Sequence, residues 1–440
     1  MKEQKSIRSK RSLVIGLGLF LVAGPGCELL NQVQTITEEP SPTVQVARVN
    51  TPGTSPTRPA STPGSTPTRK PTPTETIPPS PTLPPMPKVK PLKMNSPEYG
   101  AQAFLWWRPE TADRDLGLMR DAGLTWVKQQ FAWRDIEGAK KGAFNWGNAD
   151  QAVYTSNGKG IEILARIDNA PEWAAPGCFN SAKKQMGPAK NMQDWLDFLS
   201  AFVTRYKGRI RAYEIWNEPN LSREWCARAP NPSEYAALMK ASYAKIKSID
   251  PNAMIISAGM TPTTQSNAEA MPDVQFVEQM YTAMGNNSSG YFDVLGAHAA
   301  GFKAPPETSP DDIAKNPQYN HGEGAAGRIY GFRHAEDIRK LMVARGDSAK
   351  QVAVLEFGWT TDTIHPAYSW FKVDEQTQAD YLVRAYRFAK QNWSPWIGTM
   401  FVIYMANPDW DKNYEEYWWA ITEPNGTPRA GYVRLKAMAK

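Results

Sequence analysis

Two short apolar stretches of this chain each end on a glutamate. Tyr213-Glu214-Ile215-Trp216-Asn217-Glu218-Pro219-Asn220 opens as a strand, reaches the polar pair Asn217-Glu218, and turns at Pro219, which has no N–H for a further ladder bond. Val352-Ala353-Val354-Leu355-Glu356-Phe357-Gly358-Trp359 follows the same plan, with a glycine soon after its glutamate. Two carboxyl groups facing each other supply a nucleophile and a proton donor, provided their surroundings ionise one and leave the proton on the other. A glutamate at a strand end can also be a buried acceptor or half of an ion pair. The pair matters only if the rest of the chain brings residues 218 and 356 together.

The elements that would do so follow from residue 100 onward, where apolar strand candidates alternate with amphipathic segments of helical length. The strand candidates are Gln102–Trp106, Trp126–Phe131, Glu162–Ile167, Arg211–Trp216, Met254–Ala258, Phe292–Ala297, Val352–Glu356 and Thr399–Tyr404. Helical patterns fill the gaps at 112–122, 146–157, 191–206, 233–248, 274–284, 332–344 and 374–391, and a last one closes the chain at 431–439. Asn231-Pro232-Ser233-Glu234 reads as a helix start with proline in its first turn, and Asp250-Pro251-Asn252 as that helix's end. Eight strand–helix steps over this length predict an α/β fold, a (β/α)₈ TIM barrel. In such a barrel the ends of strands four and seven face one another across the mouth. No glycine-rich phosphate loop follows the first strand, which argues against a dinucleotide fold.

Charge and composition divide the chain. Residues 1–94 carry 12 basic and 5 acidic side chains, leaving 38 basic against 39 acidic beyond, so the net charge of +6 belongs to the N-terminal part. The folded part has no nucleic-acid footprint by net charge. Basic residues Lys2 to Arg11 precede the apolar run Leu13–Ala23, which is short for a bilayer span and reads as a secretory signal within residues 1–27. Residues 28–94 are dominated by Pro, Thr and Ser, too poor in apolar groups to offset chain entropy by burial, and are expected to form a disordered, polyproline-like spacer. Residues 95–440 are expected to form the one barrel domain that carries the two glutamates. Cys178 and Cys226 fall in the loops after strands three and four, which are neighbours in a barrel, and in an exported chain they could pair. Two reduced thiols, or pairing with Cys27, are the alternatives.

Cys27, alone after the apolar run, resembles the acylated cysteine of bacterial lipoproteins, although Gly24-Pro25-Gly26 lacks the usual leucine; ordinary cleavage or an uncleaved anchor are the alternatives. The implied placement is extracellular, attached to the cell surface through that membrane anchor, or secreted. Trp216-Asn217-Glu218-Pro219-Asn220 resembles the fourth-strand motif of clan A, the retaining TIM-barrel glycoside hydrolases that include family 5 and family 39. The resemblance implies that Glu218 is the acid/base, that Asn217 hydrogen-bonds a sugar 2-hydroxyl, and that Glu356 on the seventh strand is the nucleophile. His298, in Phe292-Asp293-Val294-Leu295-Gly296-Ala297-His298, is similar to the sixth-strand histidine that lines the subsite beside the nucleophile. The tyrosine that often follows it, and orients the nucleophile, is replaced by Ala299-Ala300, so Tyr330 is a candidate for that role. Lys128 stands where the clan often has an arginine paired with the nucleophile, a point charge in place of a fork. Trp173 and Trp410 are candidate sugar platforms at the rim and after the eighth strand, and core packing is the alternative for both.

The expected function is therefore retaining hydrolysis of β-linked oligo- or polysaccharide, a carbohydrate substrate handled without a cofactor. The His and Cys residues show no metal-site spacing, and no Gly-x-Ser-x-Gly elbow is present for an esterase. The vacant tyrosine and Lys128 motivate a second expectation, a catalytically silent carbohydrate-binding protein on the same barrel. A transglycosylase using the same pair is a third.

Overall fold

The computed structural model describes residues 83–106 and 108–440. The leader, Cys27 and the spacer through residue 82 lie outside the described residues. The unit from Pro84 to Lys440 is a closed barrel of eight parallel strands in sequence order. They are β1 (Glu98–Gln102), β2 (Trp126–Ala132), β3 (Glu162–Asp168), β4 (Ala212–Ile215), β5 (Met254–Ser257), β6 (Val294–His298), β7 (Gln351–Phe357) and β8 (Ile397–Val402). β1 closes the ring on β8, with Gly100 opposite Phe401.

β1 is the one strand that the sequence misplaces. The apolar run Phe104–Trp106 lies beyond the strand end, buried at the barrel mouth, while the strand proper is the less apolar Glu98–Gln102. Burial of a loop, not strand pairing, selected those apolar residues. Two short helices also go unannounced, Trp133–Ile136 after β2 and Pro310–Lys315 in the long loop after β6.

Helix starts follow their polar punctuation. Asn231 accepts hydrogen bonds from Ser233 N and Glu234 N with Pro232 in the first turn, Asn191 accepts from Gln193 N, and Asp374 from Thr377 N. Each occupied cap removes an orphan donor and contributes about 1 kcal/mol.

The barrel is filled in two layers of different character. Towards the strand starts, Trp126, Leu164, Ala212, Met254, Val294, Ala353 and Phe401 form an apolar plug, closed from below by Met94. Gln351 clasps Met94 from both sides, accepting from its N–H at 2.8 Å and donating to its carbonyl at 3.1 Å. Residues 84–94, assigned to the spacer on composition, thus include part of the barrel's floor. Two residues further along the strands the inward positions become charged: Lys128 on β2, Arg166 on β3 and Glu214 on β4, all buried. The period-two pleat carries Trp126 to Lys128, Leu164 to Arg166 and Ala212 to Glu214 on one face.

β7 breaks that period where it matters. Ala353 and Leu355 belong to the inner apolar cluster, so strict alternation would aim Glu356 at the outer helices. Register shifts lie on both sides of β7, between Ala297 and His298 on β6 and between Val354 and Phe357 against β8. Irregularities of this kind re-aim side chains next to active sites.

Outside the barrel, His334 ties two helices together. Its Nε2 lies 2.7 Å from Asp273 and its Nδ1 3.2 Å from Asp337, which also receives Arg328. Burial alone would push His334 down, but the two carboxylates outweigh it and raise the imidazole to about 9. A folded-state value above the unfolded one contributes stability in full below about pH 6.5, lost as pH rises through about 9. The melting-temperature gap between the protein and His334→Gln should therefore be largest near pH 6 and shrink by pH 10; a gap that stays constant would contradict this network.

Candidate active site

The β4 exit is fixed residue by residue. Tyr235 donates to Ile215 O at 2.9 Å and accepts from Ala258 N at 2.6 Å, bridging β4 to the end of β5. The Trp216 indole donates to Glu224 O at 3.0 Å. Asn220 donates to Thr261 O and Met271 O, both at 2.9 Å, and accepts from Thr261 N at 3.0 Å. Between these anchors the backbone takes left-handed values, φ 72° at Trp216 and 41° at Glu218. For non-glycine residues this costs on the order of 1 kcal/mol or more each, and such positions cluster at functional sites. Trp216 and Asn220 are thus occupied in holding Asn217 and Glu218 in place.

Glu218 and Glu356 converge. Ligand-type atoms of Glu218, His298 and Glu356 all lie within 4.8 Å of one another. His298 Nδ1 stands 3.0 Å from Glu218 Oε1 and 3.8 Å from Glu356 Oε2. The ring fits because residue 259 is glycine: a Cβ there would lie 2.1 Å from His298 Cδ2. Lys128 Nζ lies 3.1 Å from Glu356 Oε1 and 3.3 Å from Glu214 Oε2, a buried cation between two buried carboxylates. On the far oxygen of Glu218, Arg223 Nη2 donates to Oε2 at 2.9 Å.

These partners set the charges. Burial raises Glu218, but the hydrogen bond and charge of His298, the charge of Arg223 and a hydrogen bond from Thr261 pull it down to about 2. Burial likewise raises Glu356, and His298 and Lys128 bring it below the ordinary carboxylate value despite the opposing charge of Glu218. Glu214 is pushed up by burial in spite of Lys128 and Arg166. The trio of Glu218, His298 and Glu356 is compact enough to chelate a metal ion, but Lys128 and Arg223 already supply the positive charge that an ion would bring.

Of the other candidates, Asn217 is buried beside Glu218 with its Oδ1 lacking a hydrogen-bond partner among the described residues. Trp410 is 5% exposed, set at steep angles to Phe104 and Tyr404, and its indole nitrogen also has no partner among the described residues. Two expectations are corrected. Tyr330 does not orient Glu356: its hydroxyl is shared between the two carboxylate oxygens of Glu323 at 3.0 Å, and its ring packs against Phe302 and Trp370. Glu356 is held by Lys128 and His298 instead. Trp173 is not a free platform, because its indole donates to Glu137 O at 2.7 Å and its ring meets Trp133 edge-on at 5.5 Å. Its contacts belong to the packing between barrel and helices. Arg223 and Glu214 are the residues that sequence reasoning overlooked. Glu214 had a signal, since it shares the inward face of β4; Arg223, in a 3₁₀ turn, had none.

The loops after β3 and β4 are fastened to each other. Cys178 and Cys226 are joined by a disulfide, and beside it Met186 N donates to Arg223 O at 2.7 Å and Cys226 N to Met186 O at 2.6 Å. The bridge closes a loop with a sequence separation of 48. A Cys178→Ser/Cys226→Ser double variant should lose about 2–4 kcal/mol of unfolding free energy in denaturant titration; a loss under about 0.5 kcal/mol would show that the bridge does not constrain these loops.

Residues 88–284 match the family model for cellulase, glycosyl hydrolase family 5. The match reaches Glu218 and ends before His298 and Glu356. A β-xylosidase of Geobacillus stearothermophilus is 28% identical over 130 residues, 28% of this chain and 25% of that protein. Endo-1,4-β-xylanase 1 of Gibberella zeae is 31% identical over 90 residues, 20% of this chain and 23% of that protein. The chain thus spans about a quarter of the length of these curated relatives. Among solved structures, a family 39 glycoside hydrolase from Bacteroides cellulosilyticus WH2 superposes with a TM-score of 0.57 at 20% identity, over 80% of this chain and 65% of that one, a likeness of fold. Over residues 88–284 the chain is thus similar to the family 5 glycosyl hydrolases, and its closed eight-stranded barrel shares its fold with the family 39 structure.

Proposed function

We propose that the protein is an exported enzyme that hydrolyses β-linked oligo- or polysaccharide by double displacement with retention of configuration. The observation that carries this reading is the approach of Glu218 and Glu356 to within 4.8 Å. Retention calls for carboxyl groups about 5–5.5 Å apart, whereas inversion needs roughly 6.5–9.5 Å to admit a water. In the first step a Glu356 oxygen attacks the anomeric carbon, the glycosidic C–O bond breaks, and Glu218 gives its proton to the departing oxygen. In the second, Glu218 takes a proton from water, the water oxygen attacks the anomeric carbon, and Glu356 leaves as carboxylate. Lys128 and His298 favour the ionised nucleophile. Asn217 offers its unpartnered amide oxygen to a sugar hydroxyl, and Trp410 is the ring set to line the same subsite.

The relatives named for xylosidase and xylanase activity make β-xylosides the first substrates to try. Aryl and natural β-glycosides of xylose, glucose, mannose and galactose should be screened, with the first-formed anomer read by proton NMR. The β-anomer should appear first. Glu356→Gln should abolish turnover of every substrate, and Glu218→Gln should slow natural glycosides by about 10²–10⁴-fold while sparing activated aryl glycosides. An α-anomer first, or turnover surviving Glu356→Gln, would overturn the reading.

Lys128 gives a pH prediction. It helps hold Glu356 down, so its removal raises that carboxyl and moves the acid limb of kcat/KM to higher pH. Lys128→Met should shift the limb to higher pH, and Lys128→Arg should hold it near its original place; an unmoved limb in Lys128→Met would remove Lys128 from the charge balance of the nucleophile.

One observation favours a second reading, a catalytically silent glycan-binding barrel. His298 and, after it, Arg223 hold Glu218 ionised, a state that can act as base but cannot start the reaction as acid. Binding of the same glycosides without product release would select it. Export and lipid anchoring through Cys27 belong to the proposal as well, and are tested by metabolic acyl labelling of the protein and its Cys27→Ser variant.

A further inference from the structure

The loops after β3 and β8 meet over the barrel mouth. Lys184 Nζ, from the β3 loop, lies 3.6 Å from Glu416 Oε1 in the β8 loop. In the closed ring β3 and β8 are not neighbours: β1 and β2 stand between them on the short arc, β4 to β7 on the long one. A contact between their exit loops therefore passes above strand ends that belong to neither. Both feet of this bridge are fixed. Asn180 and Gln185 exchange backbone hydrogen bonds at 2.9 Å, Asn180 Oδ1 accepts from Lys183 N at 3.1 Å, and Met186 N donates to Arg223 O beside the Cys178–Cys226 disulfide. Lys184 thus sits at the tip of a pinned turn, with φ 48°. On the other foot the Glu416 side chain is 1% exposed, and its neighbour Glu415 accepts from the Trp419 indole at 2.9 Å. Burial and the charge of Glu416 raise Glu415, against that hydrogen bond and the charge of Lys184. A lysine set over two buried carboxylates is part of the charge pairing that lets them be buried.

The short arc is shut at its sides as well. Arg108 meets Asp409 at 2.6 Å and Met405 N donates to Gln102 O at 2.9 Å, joining the loops after β1 and β8. Arg134 lies over the Phe179 ring at 3.3 Å, joining those after β2 and β3. Trp410, the ring beside the sugar that Glu356 attacks, belongs to the β8 loop and packs on Phe104 of the β1 loop. The attacked sugar is therefore on the roofed side. Under the roof the side chains of Glu218 and Glu356 are only 5% and 11% exposed. Cutting an internal bond of a long chain needs a groove that continues on both sides of the two carboxylates.

We propose that Lys184 is a specificity-determining residue: its bridge to Glu416 closes the site beyond the attacked sugar, so that the enzyme removes sugar from the non-reducing ends of β-linked chains and does not cut within them. The proposal deepens the hydrolase reading and rests on Glu356 as nucleophile with Trp410 beside it. A chain that continues past the attacked sugar meets the lysine and the turn that carries it, whereas a chain end fits beneath them.

The experiment uses tetrasaccharides of β-linked xylose and of β-linked glucose, either free or blocked at the non-reducing end by one α-linked sugar. Products and kcat/KM are measured with the full-length enzyme, and binding of the same compounds with Glu356→Gln. Free chains should shorten from the non-reducing end by a unit of one fixed length. They should be favoured over blocked chains by about 100-fold in kcat/KM, and in the same direction in Kd. Lys184→Asn withdraws the cation and suits the left-handed backbone; it should cut the preference by about 10-fold, alone in turnover and combined with Glu356→Gln in binding. Lys184→Arg should keep the preference. Each readout is a ratio within one variant, so a general loss of folded protein lowers both members alike and leaves it unmoved. Equal treatment of free and blocked chains, internal fragments as first products, or an unchanged ratio in Lys184→Asn would overturn the inference and leave the hydrolase reading intact. If no chain is turned over but free chains bind more tightly through Lys184, the hydrolase reading fails and the closed end stands. Neither turnover nor discriminating binding would overturn both.

Discussion

Two carboxylates within 4.8 Å of each other in a buried site repel one another. At that separation the cost is on the order of 3 kcal/mol for an effective dielectric near 20. The rest of the upper barrel can be understood as the means of holding this repulsion in place. Lys128 stands on one oxygen of Glu356, His298 between the two carboxylates, and Arg223 on the outer oxygen of Glu218. Each comes from a different element, so the balance exists only in the closed barrel. The apolar plug of Trp126, Leu164, Ala212 and Met254 beneath them excludes water from the interior and gives the charged layer a rigid floor.

The same arrangement shows where the scaffold bears strain. Positive φ at Trp216 and Glu218 and the register shifts beside β7 lie at the two strand ends that deliver the carboxylates. The anchors around them are correspondingly dense: Tyr235, Asn220 and the Trp216 indole on one side, Lys128 and the Gly259–His298 contact on the other. A site that must stay poised against repulsion is held by neighbours whose own positions are locked.

Much of this was legible in the sequence because it is local. The alternation of apolar runs and amphipathic stretches is a per-element signal, and it places seven of the eight strands to within a few residues. Glu218 was legible because its neighbours Trp216, Pro219 and Asn220 are each required to shape one turn. Glu356 could be found only by position at a strand end, and the bulge that turns it inward leaves no mark in composition. Tyr330 and Trp173 were misjudged because a ring's partner depends on how the loops fold, Glu323 earlier in the same loop for Tyr330 and Trp133 beyond β2 for Trp173. Arg223 was invisible for the same reason: nothing in the sequence distinguishes it from Arg228, which instead pairs with exposed Glu234. Charge complementarity across a barrel mouth is a property of the closed ring.

The most direct measurement of the central claim is covalent trapping. A 2-deoxy-2-fluoro β-glycoside with a good leaving group slows the second displacement more than the first, so a glycosyl ester should accumulate and be found by peptide mass mapping. The account predicts a single adduct on Glu356, absent from Glu356→Gln and discharged with time as turnover resumes. An adduct on Glu218 or any other residue, or no adduct from any glycoside that the enzyme hydrolyses, would contradict it.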